Sequence, residues 1–235
     1  TPVIGYEVRG VLWYQGEANV RRGRTTYAQR FTDMVGIWRK AWGKKDADMP
    51  FYTVELTPHW YKDSKATAAA QFRDIQHMLA EKVPNSGCVA TNDLVYDYEE
   101  ENIHGSMKRK IGQRLAFMAA VRTYRVGDSD MCDAPEFVSM RLENDGSVIL
   151  AFKNAGNGFS RFYDIPGFEA AGADRVFHKA TVRVTKTFNE LELRCEAVDG
   201  RIEAVRYNYH NWAPGRIWNT RGLPIIPFRT DNWPL

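Results

Sequence analysis

The 235-residue sequence lacks the features that mark membrane and nucleic-acid-binding proteins. No apolar run approaches the ~20 residues that a membrane-spanning helix needs, so we expect no membrane partner. The 32 basic and 29 acidic side chains leave a net charge of only +3 and are scattered along the chain. A concentrated basic surface is therefore missing, and no nucleic-acid partner is expected. These absences favour a small or neutral partner.

Cysteine is also scarce. Cys88, Cys132 and Cys195 are too few for a disulfide framework, and no Cys or His spacing is typical of a metal site. Cys88 lies in the apolar run "GCVAT", where a buried and unreactive thiol is the default. A Cys132–Cys195 disulfide remains open, because spacing in sequence does not establish the geometry that a disulfide requires.

In the first half of the sequence, two spacing patterns of apolar residues alternate along the chain. Segments with strand character alternate with segments whose apolar residues recur every three or four positions, which is typical of helices. The predicted strands are 7–14, 51–56 and 87–94, and the predicted helices are 25–42, 65–82 and 107–124. Strand–helix alternation of this kind predicts an α/β fold, with a parallel sheet covered by helices.

The sequence changes character after "VGDSDMCD" at 126–133. Short alternating segments separated by Gly, Asp or Asn follow, including "EFVSMRLENDGSVILAFKN", in which "NDG" is a hairpin turn. We therefore predict an α/β domain over 1–127 and a smaller all-β domain over 133–235.

Three loops follow the predicted parallel strands, where ligands collect in open α/β sheets. The loop after the third strand carries His104, whose imidazole can accept and return a proton near neutral pH. Acidic residues at 93 and 97–101 could orient it, although such a run is also typical of a solvated loop, and a lone histidine is more often a surface or capping residue.

The loop after the first strand contains Gln15, Gly16 and Glu17. The Gln15 amide could stabilise a developing oxyanion, Gly16 would let backbone approach a substrate, and Glu17 could orient its neighbours. The alternative is a polar strand-to-helix turn without a chemical role.

The loop after the second strand contains "HWY" at 59–61. His59 and its aromatic neighbours could face a sugar, or could equally pack back on the domain. His77, His178 and His210 are interpreted as structural.

Several blocks, in order, resemble the sialate O-acetylesterases, a branch of the SGNH or GDSL-like hydrolases. They are "WYQGEAN", "FRDIQ", "VPNSGCVATNDL", "NIHGSMKRKIGQRLA", "GFEAAGAD" and "VRYNYHNWAPGRIWNTRGLPIIPFRTDNWP". The resemblance implies a flavodoxin-like SGNH sheet and a serine esterase that removes O-acetyl groups from sugars without metal or organic cofactor. It also implies a secreted, periplasmic or lysosomal location.

The family's motifs can be placed on this chain with two departures. Its W-Y-Q-G-E-S-N block falls on residues 13–19 with Ala18 in place of Ser, and its I-H-P-x-x-K block falls on 103–108 with Gly105 in place of Pro. The resemblance makes His104 the catalytic base. For the acid that orients it, the candidates in order are Asp93, Glu101 and Glu17.

The family's nucleophile is missing from these residues. No G-Q-S-N block occurs, and the G-D-S at 127–129 follows a predicted helix, whereas a nucleophile elbow needs a strand before it. We expect an upstream segment, in the same or a separate chain, to supply the serine and to complete a sheet that is otherwise incomplete at its N-terminus. This chain alone is then expected to be inactive.

Two other functions remain open. One is a non-catalytic carbohydrate-binding or structural module, and the other is a glycoside hydrolase that uses Glu17 with a carboxylate from 97–101. The loop "NYHNWAPGRIWNTRG" presents Trp212 and Arg216 as substrate-binding candidates, and an Arg suits a sugar carboxylate. The sequence does not identify the acetylated sugar.

Overall fold

The computed structural model describes residues 3–160 and 164–235. Its first half is an α/β region with a parallel sheet of order β1-β2-β3, as predicted. The strands are shorter than the predicted segments, because only their middle residues pair with a neighbour. The elements are β1 (Val11–Trp13), α1 (Arg24–Ala41), β2 (Phe51–Val54), α2 (Ala68–Lys82), β3 (Ser86–Val89) and α3 (Lys108–Met118).

Helices cover both faces of this sheet. Phe51 packs in one apolar cluster with residues of α1 and α2, whereas Tyr52 and Val54 pack in another with residues of α3. Successive side chains of a strand point to opposite faces, so β2 contributes to both clusters. The burial of all four residues of β2 follows from this position at the centre of the sheet.

The outer edge of β1 is open in the described part of the chain. There β1 pairs with β2 and with no other strand. Leu12, on this edge strand, has a relative exposure of 60 %. An unpaired strand edge with an exposed apolar side chain is a surface that proteins usually cover.

The second half forms two four-stranded antiparallel sheets, of order β4-β5-β9-β8 and β11-β10-β6-β7. Buried residues from both sheets, among them Leu150, Phe168 and Leu191, form one apolar core. The predicted short antiparallel strands are therefore present, while the division into domains 1–127 and 133–235 stays a prediction. The strands are β4 (Glu136–Leu142), β5 (Val148–Lys153), β6 (Phe168–Ala171), β7 (His178–Lys179), β8 (Thr181–Val184), β9 (Glu190–Arg194), β10 (Ala204–Tyr207) and β11 (Phe228–Arg229).

The disulfide that the sequence left open does not form. Cys132 and Cys195 are both free thiols, as is Cys88. Cys132 packs in the apolar cluster beside α3, whereas Cys195 borders the core of the antiparallel sheets. Cys88 is half-buried rather than fully buried, and desolvation raises the pKa of its thiol.

Asn211, which is 2 % exposed, fastens the segment after β10 to the loop between β2 and α2. Its side-chain amide donates hydrogen bonds to the carbonyls of Trp60 (3.3 Å) and Asp63 (2.8 Å). Its side-chain oxygen accepts from the backbone N–H of Ala69 (2.8 Å), in the first turn of α2. The backbone N–H of Asn211 also donates to the carbonyl of Ala66 (2.6 Å). One buried side chain thus holds a loop and the start of a helix.

The loop after β3 is fastened to the antiparallel region in the same way. The side-chain amide of Asn92 donates to the carbonyl of Ile225 (3.1 Å), and the backbone carbonyl of Asn92 accepts from the N–H of Gly215 (3.0 Å). Arg114 donates to the carbonyl of Gly222 (3.1 Å). Because Asn92 is fully buried, these bonds are protected from competition by water.

His210 forms an ion pair in the same contact area. Its Nε2 lies 2.7 Å from Oε2 of Glu169, and its Nδ1 lies 2.7 Å from the carbonyl of Lys65. Both partners can only accept, so both contacts are satisfied only when both ring nitrogens carry protons. The hydrogen bond with Glu169 accordingly raises the pKa of His210.

Helices long and apolar enough to cross a membrane are absent from the ranges 3–160 and 164–235.

Replacing Asn211 with Ala is predicted to lower the free energy of unfolding by about 3 kcal/mol or more, because two carbonyls and one N–H lose buried partners. Urea denaturation measures the change. The matched control is Asn189→Ala, which removes a bond to the carbonyl of Phe152 within the antiparallel region and is predicted to cost about 1 kcal/mol. Equal losses for the two variants would contradict the special position of Asn211.

The ion pair of His210 predicts a pH dependence of stability. Because the folded-state pKa is raised, its contribution is complete below the unfolded pKa of about 6.5 and is lost as pH rises through the folded pKa. The free energy of unfolding should therefore contain a contribution from His210 at pH 6 that is lost by pH 9. His210→Gln is predicted to reduce the difference between the unfolding free energies at these two pH values, measured by urea denaturation. His178→Gln is the control, and a His210→Gln profile identical to that of the unmodified protein would refute this role.

Candidate active site

The residues at 15–17 form a tight turn at the carboxyl end of β1. Gly16 has φ +148°, a conformation that residues with a Cβ rarely adopt. A Cβ there would lie 2.5 Å from Cε1 of Phe72, so α2 packs directly against the backbone. The Gly16 N–H donates to Oε2 of Glu17 (3.1 Å), which fixes that carboxylate beside the turn.

Gln15 is held in the same turn. Its side-chain amide donates to Oδ1 of Asn19 (2.7 Å), and its backbone carbonyl accepts from the hydroxyl of Tyr27 (3.4 Å). The amide group is half-buried, so it is pre-positioned and still accessible to a ligand.

His104 lies beside this turn. Its Nδ1 is 3.7 Å from Oε1 of Glu17, within ion-pair distance and slightly beyond a hydrogen bond. The His104 side chain is 70 % exposed and that of Glu17 19 % exposed. The structure thus brings together two residues separated by more than eighty positions, with the imidazole open to solvent.

A second contact joins the same two segments. Nζ of Lys108 lies 3.1 Å from the hydroxyl of Tyr14 and 4.4 Å from the centre of its ring. The block that contains Gln15 and Glu17 and the block that contains His104 therefore meet at two points.

Glu99 holds the loop that presents His104, a role that the sequence interpretation missed. This carboxylate is 3 % exposed and accepts from the N–H and hydroxyl of Ser106 and from the N–H of Tyr96. Burial alone would raise the pKa of Glu99, but these hydrogen bonds together hold it below its ordinary value. The contact of Glu99 with the Tyr96 N–H is one half of a capping box, but Tyr96 is not a residue type that marks such a box in a sequence, so no local signal was available.

Asn102 also supports the loop. Its Oδ1 accepts from the backbone N–H of His104 (3.1 Å), and its side-chain amide donates to Glu99 (3.2 Å). Asn102 therefore joins the buried Glu99 to the backbone of the histidine itself.

The three acid candidates lie in different surroundings. Asp93, ranked first, accepts a bidentate pair of hydrogen bonds from Arg114 (2.6 and 2.7 Å) and one from Nε1 of Trp218 (2.7 Å). Glu101 is exposed. Within the described residues, Glu17 forms an ion pair with His104, whereas Asp93 and Glu101 form none with it.

His59 lies in the loop between β2 and α2. It is 8 % exposed, and its ring packs edge-on against that of Tyr61 at 4.6 Å. Burial lowers the pKa of His59. Smaller electrostatic effects act in both directions: the charge of Glu101 raises this pKa and that of His104 lowers it. His59 and Tyr61 therefore pack against the protein and do not form a surface exposed to a sugar.

The remaining site candidates lie elsewhere along the contact between the two regions. Trp212 is half-buried, and its backbone N–H donates to the carbonyl of Ser64 (3.1 Å). Arg216 pairs with Asp97, on the loop that also carries His104. His77, interpreted as structural, pairs with the fully buried Glu55 at 2.6 Å.

No serine in residues 3–160 and 164–235 is hydrogen-bonded to a histidine side chain in this structure. Ser129 of the G-D-S match begins a short 3₁₀ turn (Ser129–Met131) that follows α3 and its terminal π-turn. It therefore lacks the preceding strand of a nucleophile elbow.

The assembled groups are suited to proton transfer beside a bound ligand. His104 can accept a proton, Glu17 can stabilise the resulting imidazolium, and the Gln15 amide can donate to a developing negative charge.

Two curated proteins are similar to this chain in sequence. The chain is 26% identical over 227 residues to a sialate O-acetylesterase of Mus musculus and 23% identical over 225 residues to that of Homo sapiens. These matches cover 90% of this chain and 41% and 42% of the relatives, so the chain spans less than half the length of these relatives.

A solved structure is similar as well. The crystal structure of a carbohydrate acetylesterase from Xanthomonas citri superposes with a TM-score of 0.83 at 31% sequence identity, covering 97% of this chain and 51% of that one. The model of the family described as carbohydrate esterase, sialic acid-specific acetylesterase, matches residues 2–120, which include every residue of the turn and of the His104 loop. The chain therefore belongs to this family of sialic acid-specific carbohydrate acetylesterases.

Proposed function

We propose that the chain forms the histidine side of a carbohydrate O-acetylesterase site, in which a serine attacks the acetyl carbonyl. The observation that carries the proposal is the ion pair of His104 with Glu17 beside the Gln15 amide, at the carboxyl end of β1. O-acetylated sugars, including sialic acids, are the proposed substrates, by analogy with the named relatives.

In the proposed reaction His104 takes the proton of the serine hydroxyl, and Glu17 stabilises the imidazolium. The oxyanion of the tetrahedral intermediate accepts from Gln15 and from backbone N–H groups. The imidazolium then returns its proton to the departing sugar oxygen, and water releases acetate from the acyl-enzyme in a second step. We assign Asp93 a structural role, in which its ion pair with Arg114 fastens the start of the loop after β3 to α3.

We propose that the serine comes from a segment that precedes Thr1 in the same protein or belongs to a separate chain. The open edge of β1 and exposed Leu12 support a further strand at this edge, close to the turn of Gln15. Without that segment the chain is expected to be inactive.

A non-catalytic carbohydrate-binding module is the second candidate, and it is favoured because no serine within the described residues is hydrogen-bonded to the His104 side chain. It predicts glycan binding with no acetate release even when the preceding segment is present. A secreted, periplasmic or lysosomal location rests on the family alone.

The decisive measurement is acetate release from O-acetylated sialic acid and from p-nitrophenyl acetate by the protein expressed with its preceding segment. His104→Ala is predicted to lower kcat/KM by about 10²- to 10⁴-fold on both substrates, because the general base is lost. Glu17→Gln is predicted to lower it by about tenfold, because the imidazolium loses its partner.

His178→Ala is the control and is predicted to retain full activity, since β7 lies in the antiparallel region. Undiminished turnover by His104→Ala would refute the assigned role. Release of reducing sugar without acetate would replace the proposal by a glycoside hydrolase.

A further inference from the structure

The imidazole of His104 has few contacts of its own that hold it in place. Its ion pair with Glu17 is the single polar contact of the His104 side chain among the residues that the structure describes, and at 3.7 Å it is longer than a hydrogen bond. The side chain is 70 % exposed, so packing does not fix it either. The distance between the two groups must therefore be set by the backbone segments that carry them.

Apolar side chains on either side of His104 pack on opposite faces of the parallel sheet. Ile103 packs against the apolar cluster of α1 and α2, and Met107 packs against that of α3. Tyr14, the half-buried residue directly before Gln15, packs against both clusters. The ring of Tyr14 is therefore a fixed point between the two clusters, one residue away from the turn of the candidate site.

Lys108 joins this fixed point to the helix that follows His104. It is the first residue of α3 and lies four positions after the histidine. Its ammonium group donates to the hydroxyl of Tyr14 at 3.1 Å and lies 4.4 Å from the centre of the same ring. An ammonium group is attracted to the face of an aromatic ring in addition to bonding its hydroxyl. The pair therefore fastens the start of α3 to the end of β1.

We propose that Lys108 and Tyr14 are positioning residues for His104, whose pair holds the imidazole at a working distance from Glu17. The proposal rests on the proposed function and deepens it, because it assigns the geometry of the reacting groups to a contact that includes neither of them. Lys108 and Tyr14 exchange no proton with the substrate in this proposal and act through the position of the imidazole.

Turnover of p-nitrophenyl acetate by the protein with its preceding segment tests the pair. Lys108→Gln is expected to lower kcat by about five- to tenfold and to leave KM unchanged, because the ammonium group contacts the tyrosine and not the substrate. Tyr14→Phe keeps the ring and loses the hydroxyl, so a smaller loss of about threefold is expected. Lys108→Arg keeps a cation at this position and is expected to restore kcat to within about twofold.

Two comparisons separate positioning from a general loss of structure. In the Glu17→Gln background, Lys108→Gln is expected to lower kcat by less than about twofold, since the ion pair that it would position is already lost. Lys110→Gln, at an exposed position two residues further along α3, is the matched control and is expected to retain full kcat. Equal losses from Lys108→Gln in the two backgrounds, or an unchanged kcat in Lys108→Gln, would overturn the proposal.

Hydrogen–deuterium exchange distinguishes this proposal from the proposed function, because it does not depend on activity. Exchange of the peptide that covers residues 100–107 is expected to be about threefold faster in Lys108→Gln than in the unmodified protein, since the segment loses a contact that holds it. Faster exchange supports the pair even if the unmodified protein releases no acetate. Unchanged exchange overturns the positioning role, and acetate release by the unmodified protein would then leave the proposed function intact.

Discussion

The buried side chain of Asn211 is the constraint on which the arrangement of the site depends. It satisfies two carbonyls and one N–H of the segment 60–69, a loop that would otherwise bury unpaired backbone groups beside α2. Its backbone carbonyl accepts from the N–H of His59 (3.2 Å), in the same loop. The antiparallel region therefore supports the candidate site, because Trp60 in this loop donates its N–H to the carbonyl of Glu100 (3.0 Å), in the loop that presents His104.

The loop that presents His104 is fixed by a different means. Buried Glu99 gathers hydrogen bonds from its own loop, and Asp93 with Arg114 anchors the start of that loop to α3. A loop built around internal carboxylate acceptors can leave one side chain in solvent without losing its shape. This explains how His104 can be 70 % exposed and still lie 3.7 Å from Glu17.

Much of the fold and part of the site could be predicted from the sequence. The spacing of Tyr27, Phe31, Met34 and Trp38 predicted which face of α1 packs on the sheet, and all four belong to or pack against one apolar cluster. Gln15, Glu17 and His104 could be selected as candidates because their residue types can carry the chemistry, and their catalytic roles stay predictions. The choice among Asp93, Glu101 and Glu17 was not accessible, since the partner of a carboxylate depends on distances between segments far apart in sequence.

The sequence by itself determined the alternation of strands and helices, the short antiparallel strands that follow, and the family blocks, because each depends on local periodicity or on neighbouring residues. Only the tertiary structure decided which residues meet. It paired Glu17 with His104, directed Asp93 to Arg114, buried His59, kept Cys132 and Cys195 in separate cores, and made Asn211 a support of the site. The physical reason is that hydrogen bonds and ion pairs act over a few ångströms, and these distances are set by the packing of whole elements.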